Sequence, residues 1–462
     1  MGSDDRSMGK PVAAHAAAEL PDELLLEIFA RVAPGILDLL RCAGTCTRWF
    51  RLIADPAFLR RAGVLPENAP RGSFLIGAFQ QYANLICRCK PLKLFKPDEP
   101  PQFTSLYRAP RPSRGVAPRL GFTSFLRNTG GLFDYAEPLT SRRGLLLLRI
   151  MPRPMDPSKL HLAVCHPLIG EQATHLLPPP PLDLNPRGFG HDVTGYTLLT
   201  SADLHNGGDL ANDDQRPTFR VILTVVHSDD KLVHVYSYSS ATGSWSPPIK
   251  CPQTCGLMLA GQRDGVVTRG TVHWVYMDQG RLLYTLDVSA DAANVSLTRT
   301  PIQVREEEDD HGGVEVGTVV AYAAGGNMSI AINPASRYYG TPEFWTKREQ
   351  DNVQNSQVDS GYSHLMRRPE LAGTKILAFA ESKGAMIVQR ADRAGLFTLD
   401  LESTEMEPVK GDDSPWGFVR SCSSYRYDGC SNITLNNRVL YEMDWPSYLR
   451  LTSRPCVHDE SR

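Results

Sequence analysis

The rhythm of apolar positions changes once along this chain, and the change divides it. In "ELPDELLLEIFARV", residues 19–32, Leu24, Leu25, Ile28, Phe29 and Val32 recur at the three-and-four spacing of one helical stripe, with Leu26 outside it. Pro21 followed by Asp22 and Glu23 predicts a helix start there, because the unpaired N–H groups and dipole of a first turn tolerate proline and favour anions. The spacing returns in "PGILDLLRCAGTCTRWFRLIADPAFLRRAG", residues 34–63, through Leu39, Leu40, Ala43, Cys46, Trp49, Phe50 and Ile53. Pro34-Gly35 interrupts it before and Asp55-Pro56 after. About three or four short helices are predicted. Their apolar stripes are too plentiful for the interior that so small a unit can enclose, so the surplus points to a partner surface.

From about residue 66 the period shortens. Runs such as "GLLLLRI", "KLHLAVC", "FRVILTVV", "KLVHVYSYS", "GTVHWVYM", "RLLYTLDV" and "GLFTLDL" alternate with turn formers and predict strands. A strand, a polar turn and a proline stop recur in "LAVCHPLIGEQATHLLPPPP", "VHVYSYSSATGSWSPPI", "LYTLDVSADAANVSLTRTPI" and "LFTLDLESTEMEPV". Aligned with one another, they start at Ala163, His234, Leu283 and Leu396, 71, 49 and 113 residues apart, which fits a unit of roughly 40 to 50 residues, the size of a four-stranded propeller blade. About six to eight blades are expected by length. Three polar stretches, 205–217, 305–313 and 346–369, read as loops thrown out from this scaffold. The predicted class is therefore α+β multidomain: a disordered tail at 1–17, a small all-α unit at 18–63, a large all-β propeller-like unit at 66–455 and a tail at 456–462.

Composition narrows the function. With 49 basic against 51 acidic residues and a formal charge of -2, the chain offers no overall attraction to nucleic acid or acidic lipid. No apolar run reaches the ~18 residues of a membrane span, and the start lacks a secretory or myristoylation pattern, so an intracellular place in cytoplasm or nucleus is expected. Ten cysteines are too dilute for a disulfide scaffold, and none of the close pairs is followed by a second pair at zinc spacing. No G-x-S-x-G, H-E-x-x-H or phosphate-loop pattern is present. The twelve histidines are scattered, and His234 and His273, inside predicted strands, read as satisfied residues rather than ligands. No catalytic residue, cofactor or metal is predicted. The "EEEDD" run at 306–310 reads as a solvated loop, and "LLPPPPLD" at 176–183 as a bridge between blades.

"LPDELLLEIF" from Leu20 to Phe29 and "DLLRCAGTCTRWFRLIADPAFLRR" from Asp38 to Arg61 resemble the F-box, the adaptor-binding module of cullin-RING ubiquitin ligases, in their Leu-Pro, Leu-rich helix, Leu-Leu-Arg, Cys, Arg-Trp and closing Asp-Pro. The connector "ARVAPGI" is long, and Thr45 replaces the usual aliphatic residue. The arrangement is similar to plant, grass-type F-box proteins with a kelch-like or propeller-like C-terminal domain. The resemblance implies docking onto a Skp-type adaptor, and through it cullin and RING subunits, by Leu20, Pro21, Leu24, Leu25 and Ile28, with Leu40, Cys46 and Trp49 supporting or extending the surface. It implies a non-catalytic substrate receptor that promotes degradation of a target of unknown identity. The alternatives are a non-degradative scaffold or decoy, and a ligand- or sugar-binding propeller whose F-box controls only its abundance.

Overall fold

The structure, a computed structural model, describes residues 20–32, 39, 42–43, 45–62, 73–80, 101–105, 120–121, 133–134, 136–150, 159–167, 174–182, 193–204, 218–227, 229–304, 306–308, 314–316, 318–324, 327–333, 342–347, 362–365, 371–380, 385–390, 396–400, 406–408 and 438–444. The expected tails, and Leu40 among the expected docking residues, lie outside them. The chain divides into two compact units: Met1–Gly72 with Tyr107–Ala117 and Trp445–Arg462, and Ser73–Leu106 with Pro118–Asp444.

In the first unit, α1 (Asp22–Val32), α2 (Thr47–Ala54) and α3 (Pro56–Arg61) pack on one another. The helices begin where local chemistry dictates. Cys46 in extended backbone caps α2, its Sγ accepting from the Trp49 N–H at 3.5 Å. Asp55 caps α3 through Ala57 N–H at 2.9 Å, and Pro56 takes the first position, where no N–H is needed. Leu25, Phe29, Ile53, Phe58 and Leu59 form its interior.

The second unit is a succession of antiparallel meanders in a propeller-like arrangement. The first sheet runs Arg438–Asp444, Ser73–Gln80, Gln102–Ser105, Leu120–Gly121, so the last described strand zips onto the first. The second sheet contains Glu137–Arg142, Leu145–Ile150, His161–Cys165 and Thr174–Leu176. The third has Val193–Thr200, Phe219–Val226 and Val233–Ser239, the last paired with both Ser244–Trp245 and Ile249–Cys251. In the fourth, Met258–Leu259 and Val266–Thr268 both pair with Thr271–Met277, followed by Leu282–Ser289 and Val295–Gln303. Thr318–Ala324, Asn327–Asn333, Glu343–Lys347 and Tyr362–Leu365 form the fifth, and Thr374–Ala380, Ala385–Arg390, Leu396–Asp400 and Met406–Pro408 the sixth.

Among the described residues, four sheets thus have the plain four-stranded form of a blade, which corrects the expected six to eight. In the third and fourth sheets one strand position is broken in two. Pro247-Pro248 interrupts the outer strand of the third, because proline has no N–H to give the ladder, and "AGQRDG" at 260–265 separates the two pieces in the fourth. All four repeat starts read from sequence, Ala163, His234, Leu283 and Leu396, fall on the third strand of a sheet. The repeat period is therefore structural. The acidic stretch expected as a loop is corrected in part: Glu306–Glu308 pairs with Val314–Val316 as a two-stranded ribbon. Residues 346–347 and 362–365 of the stretch 346–369 likewise lie in paired strands of the fifth sheet.

Apolar layers fill the spaces between successive sheets from the second to the sixth. Leu147, Leu162 and Val164 of the second meet Leu198, Leu223 and Tyr238 of the third, and comparable layers follow between each later pair through the sixth. Polar seams register the sheets. Asn333 Nδ2 donates to Ile376 O at 3.1 Å while its Oδ1 accepts from Ile376 N at 3.0 Å, and Gln262 makes the equivalent pair of bonds to the backbone of Ala321. Trp274 fills the seam between the third and fourth sheets, its Nε1 donating to Arg263 O at 3.0 Å. It fits because Gly195 and Gly265 present no Cβ towards it. The proline run bridges the second and third sheets as expected: Trp245 Nε1 donates to Pro178 O at 2.8 Å.

Candidate functional site

Helix α1 is amphipathic in an unusual sense, because both of its long faces carry apolar residues. Leu25 and Phe29, one turn apart, are each 1% exposed. Phe29 meets Trp49 edge to face at 5.2 Å and Phe58 at 6.5 Å, which fixes this side of the helix inward. The neighbouring pair, Leu24 and Ile28, also one turn apart, is 47% and 45% exposed. Pro21 is exposed on the turn that leads into them and Leu20 is half-buried.

Arg48 sets how the chain enters this helix. Its guanidinium donates to Asp22 Oδ1 through Nε at 2.9 Å and Nη2 at 2.6 Å, and Nη2 also donates to Leu20 O at 2.5 Å. One α2 side chain thus holds both the residue before Pro21 and the first residue of α1. The ion pair is partly exposed, so its contribution to stability is small, about 0–1 kcal/mol, but its fork geometry orients the helix start. The Arg31–Glu27 pair, one turn apart and exposed, adds to helix solubility rather than to packing.

Of the expected docking residues, Pro21, Leu24 and Ile28 form a continuous exposed strip. Leu25 is buried on the side of the helix that Phe29 shares, while its neighbour Leu24 is exposed. Cys46 is exposed, but its sulfur serves the helix cap, while Trp49 is half-buried against Phe29. Sequence reasoning assigned no role to Arg48. The Arg-Trp pair was visible in the chain, but its long-range partner Asp22 was not.

The β unit contains charged clusters that serve its seams. His273 Nδ1 lies 2.6 Å from Asp287 Oδ1 and its Nε2 2.7 Å from Thr268 Oγ1, while Lys347 from the fifth sheet reaches Asp287 Oδ2 at 2.8 Å. Burial would raise the Asp287 carboxyl, but the His273 hydrogen bond and the charges of His273 and Lys347 hold it below the usual carboxylate range. Both ring nitrogens and both carboxylate oxygens are engaged by neighbours, so this chain of contacts ties two sheets. Among the described residues, no group of three or more His, Cys, Asp or Glu side chains is placed to hold a metal ion, and no helix is long and apolar enough to cross a membrane.

Residues 17–63 match the F-box-like family. This segment is an F-box-like domain. No curated protein matches the chain. Among solved structures it is similar to a prolyl endopeptidase at 11% identity and a TM-score of 0.33, over 57% of this chain and 32% of that one. The Dos1 propeller is similar at 9% identity and a TM-score of 0.30, over 61% of each chain. The β-propeller domain of the Trilobed protease from Pyrococcus furiosus is similar at 7% identity and a TM-score of 0.32, over 59% of this chain and 70% of that one. The chain spans about a third of the first of these and less than two thirds of the second.

Proposed function

We propose that this chain is the substrate-receptor subunit of an SCF-type ubiquitin ligase. The F-box-like domain docks a Skp-type adaptor through Pro21, Leu24 and Ile28, and the propeller-like unit holds a target protein. The exposed Leu24–Ile28 pair within the F-box-like segment carries this reading: about half of two large aliphatic side chains stands in water on a helix whose other face is fully packed. An apolar groove on a second protein completes such a face. Cullin and RING subunits follow through the adaptor, in cytoplasm or nucleus. The kinship with plant, grass-type F-box proteins of kelch-like type belongs to the same proposal and rests on the sequence resemblance.

The chain itself makes and breaks no bonds in this role. It raises the effective concentration of target lysines beside the ubiquitin-loaded enzyme, so the rate gain comes from tethering and orientation. The test is affinity purification with the proteasome blocked, comparing the intact chain with a Pro21→Ala, Leu24→Asp double variant. The variant is expected to lose adaptor and cullin while retaining target, since a carboxylate on the docking strip must be desolvated to bind. Retention of adaptor by the variant would refute the assignment.

A further inference from the structure

The hairpin joining Phe219–Val226 to Val233–Ser239 carries two histidines whose rings lie face to face. The centroids of His227 and His234 are 4.1 Å apart with 27° between planes, and Tyr236 extends the stack at 6.1 Å from His227. Each ring is fixed by a hydrogen bond: His234 Nε2 lies 2.8 Å from Asp230 Oδ2, and His227 Nε2 lies 2.8 Å from the Tyr236 hydroxyl. Asp230 Oδ1 accepts the Leu232 N–H at 3.1 Å and its Oδ2 receives Lys250 Nζ at 3.4 Å. The charged groups facing His227 are thus His234, Asp229 and Asp230 on its own hairpin and Lys250 on the packed strand Ile249–Cys251. The tip backbone closes through the His227 carbonyl, which accepts from Lys231 N at 2.9 Å, and the His227 N–H, which donates to Leu232 O at 3.2 Å. Lys231 sits in the left-handed region, at φ 56°, a conformation that a side chain of its kind adopts only under constraint.

A stacked imidazole pair accommodates one proton, because a charged ring over a neutral one is an acceptable contact and Asp230 stands at the edge. Two imidazolium rings at this separation repel, with no water between them to screen the charges. We infer that His227 and His234 form a one-proton switch, closed while the pair carries at most one proton and opened at the 229–232 tip when acid forces on a second. Burial, and after it the neighbouring His234, holds the His227 imidazole below its ordinary range, against the pull of Asp230 and Asp229. The second proton therefore arrives on the acid side of the usual histidine titration. On its arrival the His227 ring leaves the stack and releases Tyr236, and the constrained turn at Lys231 loses the contacts that hold it.

The test is independent of adaptor binding. Imidazole carbon shifts and backbone amide exchange are followed against pH in the full chain, in His227→Phe and in His234→Phe, which keep a ring in the stack and remove its proton. In His234→Phe the His227 midpoint is expected to rise, with proton affinity gaining roughly tenfold, the coupling typical of interacting sites. In the parent chain, exchange at 229–232, corrected for the intrinsic effect of pH, is expected to accelerate as His227 titrates, and this step is expected to vanish in His227→Phe. An unmoved His227 midpoint, or a tip whose exchange ignores that titration, would overturn the inference. Should the buried His234 position not tolerate Phe, the exchange step in His227→Phe decides alone: its loss supports the switch and its persistence refutes it.

Discussion

Replacing Leu24 and Ile28 together with alanine separates the two apolar faces of α1. Fully burying a Leu or Ile gains about 1.5–3 kcal/mol, and each of these side chains is still nearly half exposed, so an adaptor that covers them gains roughly 0.7–1.5 kcal/mol from each. The double variant is expected to lose about 1.5–3 kcal/mol of adaptor affinity, roughly 10- to 150-fold in Kd. Its helical unit is expected to keep nearly all of its stability, because the atoms removed are those least engaged within the chain. Leu25→Ala removes a side chain that is 1% exposed and is expected to destabilise the same unit by about 2–5 kcal/mol. Calorimetric titration of adaptor into the full chain reads the first effect. Amide exchange across Asp22–Arg61 reads the second, and it does so locally, which matters because two units need not unfold in one transition. Undiminished adaptor affinity in the double variant, or equal loss of helix protection in Leu24→Ala and Leu25→Ala, would refute the division of faces.

Other substitutions probe the β unit. Gly265→Ala places a Cβ 2.6 Å from Val272 Cγ1 and 2.7 Å from Trp274 Cζ2, so an overpacking cost of about 1–3 kcal/mol or more is expected, whereas Gly261→Ala, with its nearest neighbour at 3.7 Å, is expected to stay within about 1 kcal/mol of the parent in thermal unfolding. Asn333→Asp turns the donor facing Ile376 O into an acceptor and is expected to cost about 2 kcal/mol or more, read as a fall in the denaturation midpoint. Asp203→Asn removes the buried carboxylate that receives Arg142 at 2.9 Å through two nitrogens, and about 3–5 kcal/mol of destabilisation is expected. Burial alone would raise the Asp203 carboxyl, but Arg142, then Arg143 and the Thr200 N–H, hold it well below the usual range. The unfolded chain therefore takes up this proton more readily than the folded one. The contribution is present above about pH 4 and lost as pH falls below it, so acid unfolding of Asp203→Asn is expected to depend less steeply on pH than that of the parent.

The amino-acid sequence alone determined the two rhythms, the helix start at Pro21, the break at Asp55-Pro56, and the repeat whose four starts occupy one strand position in their sheets. These are local properties: spacing, proline placement and turn chemistry act within a few residues. Sheet regularity was less legible. Pro247-Pro248 reads in sequence as a stop, and only pairing with Val233–Ser239 reveals that Ser244–Trp245 and Ile249–Cys251 both occupy one place in the meander.

What the tertiary structure decided was which side of each element faces a neighbour. The stripe of α1 contains Leu24, Leu25, Ile28 and Phe29 alike, and periodicity cannot rank adjacent members of a stripe. Trp49 and Phe58, arriving from other helices, pack against Phe29, and Leu25 is buried beside it while Leu24 and Ile28 are left to the solvent. Gly195 and Gly265 look ordinary in sequence until Trp274 is seen to occupy the space their missing side chains leave. The pairing of Ser73–Gln80 with Arg438–Asp444 joins segments separated by almost the whole second unit. Contacts of that kind depend on how distant surfaces complement one another once the chain has folded, and no short-range pattern encodes them.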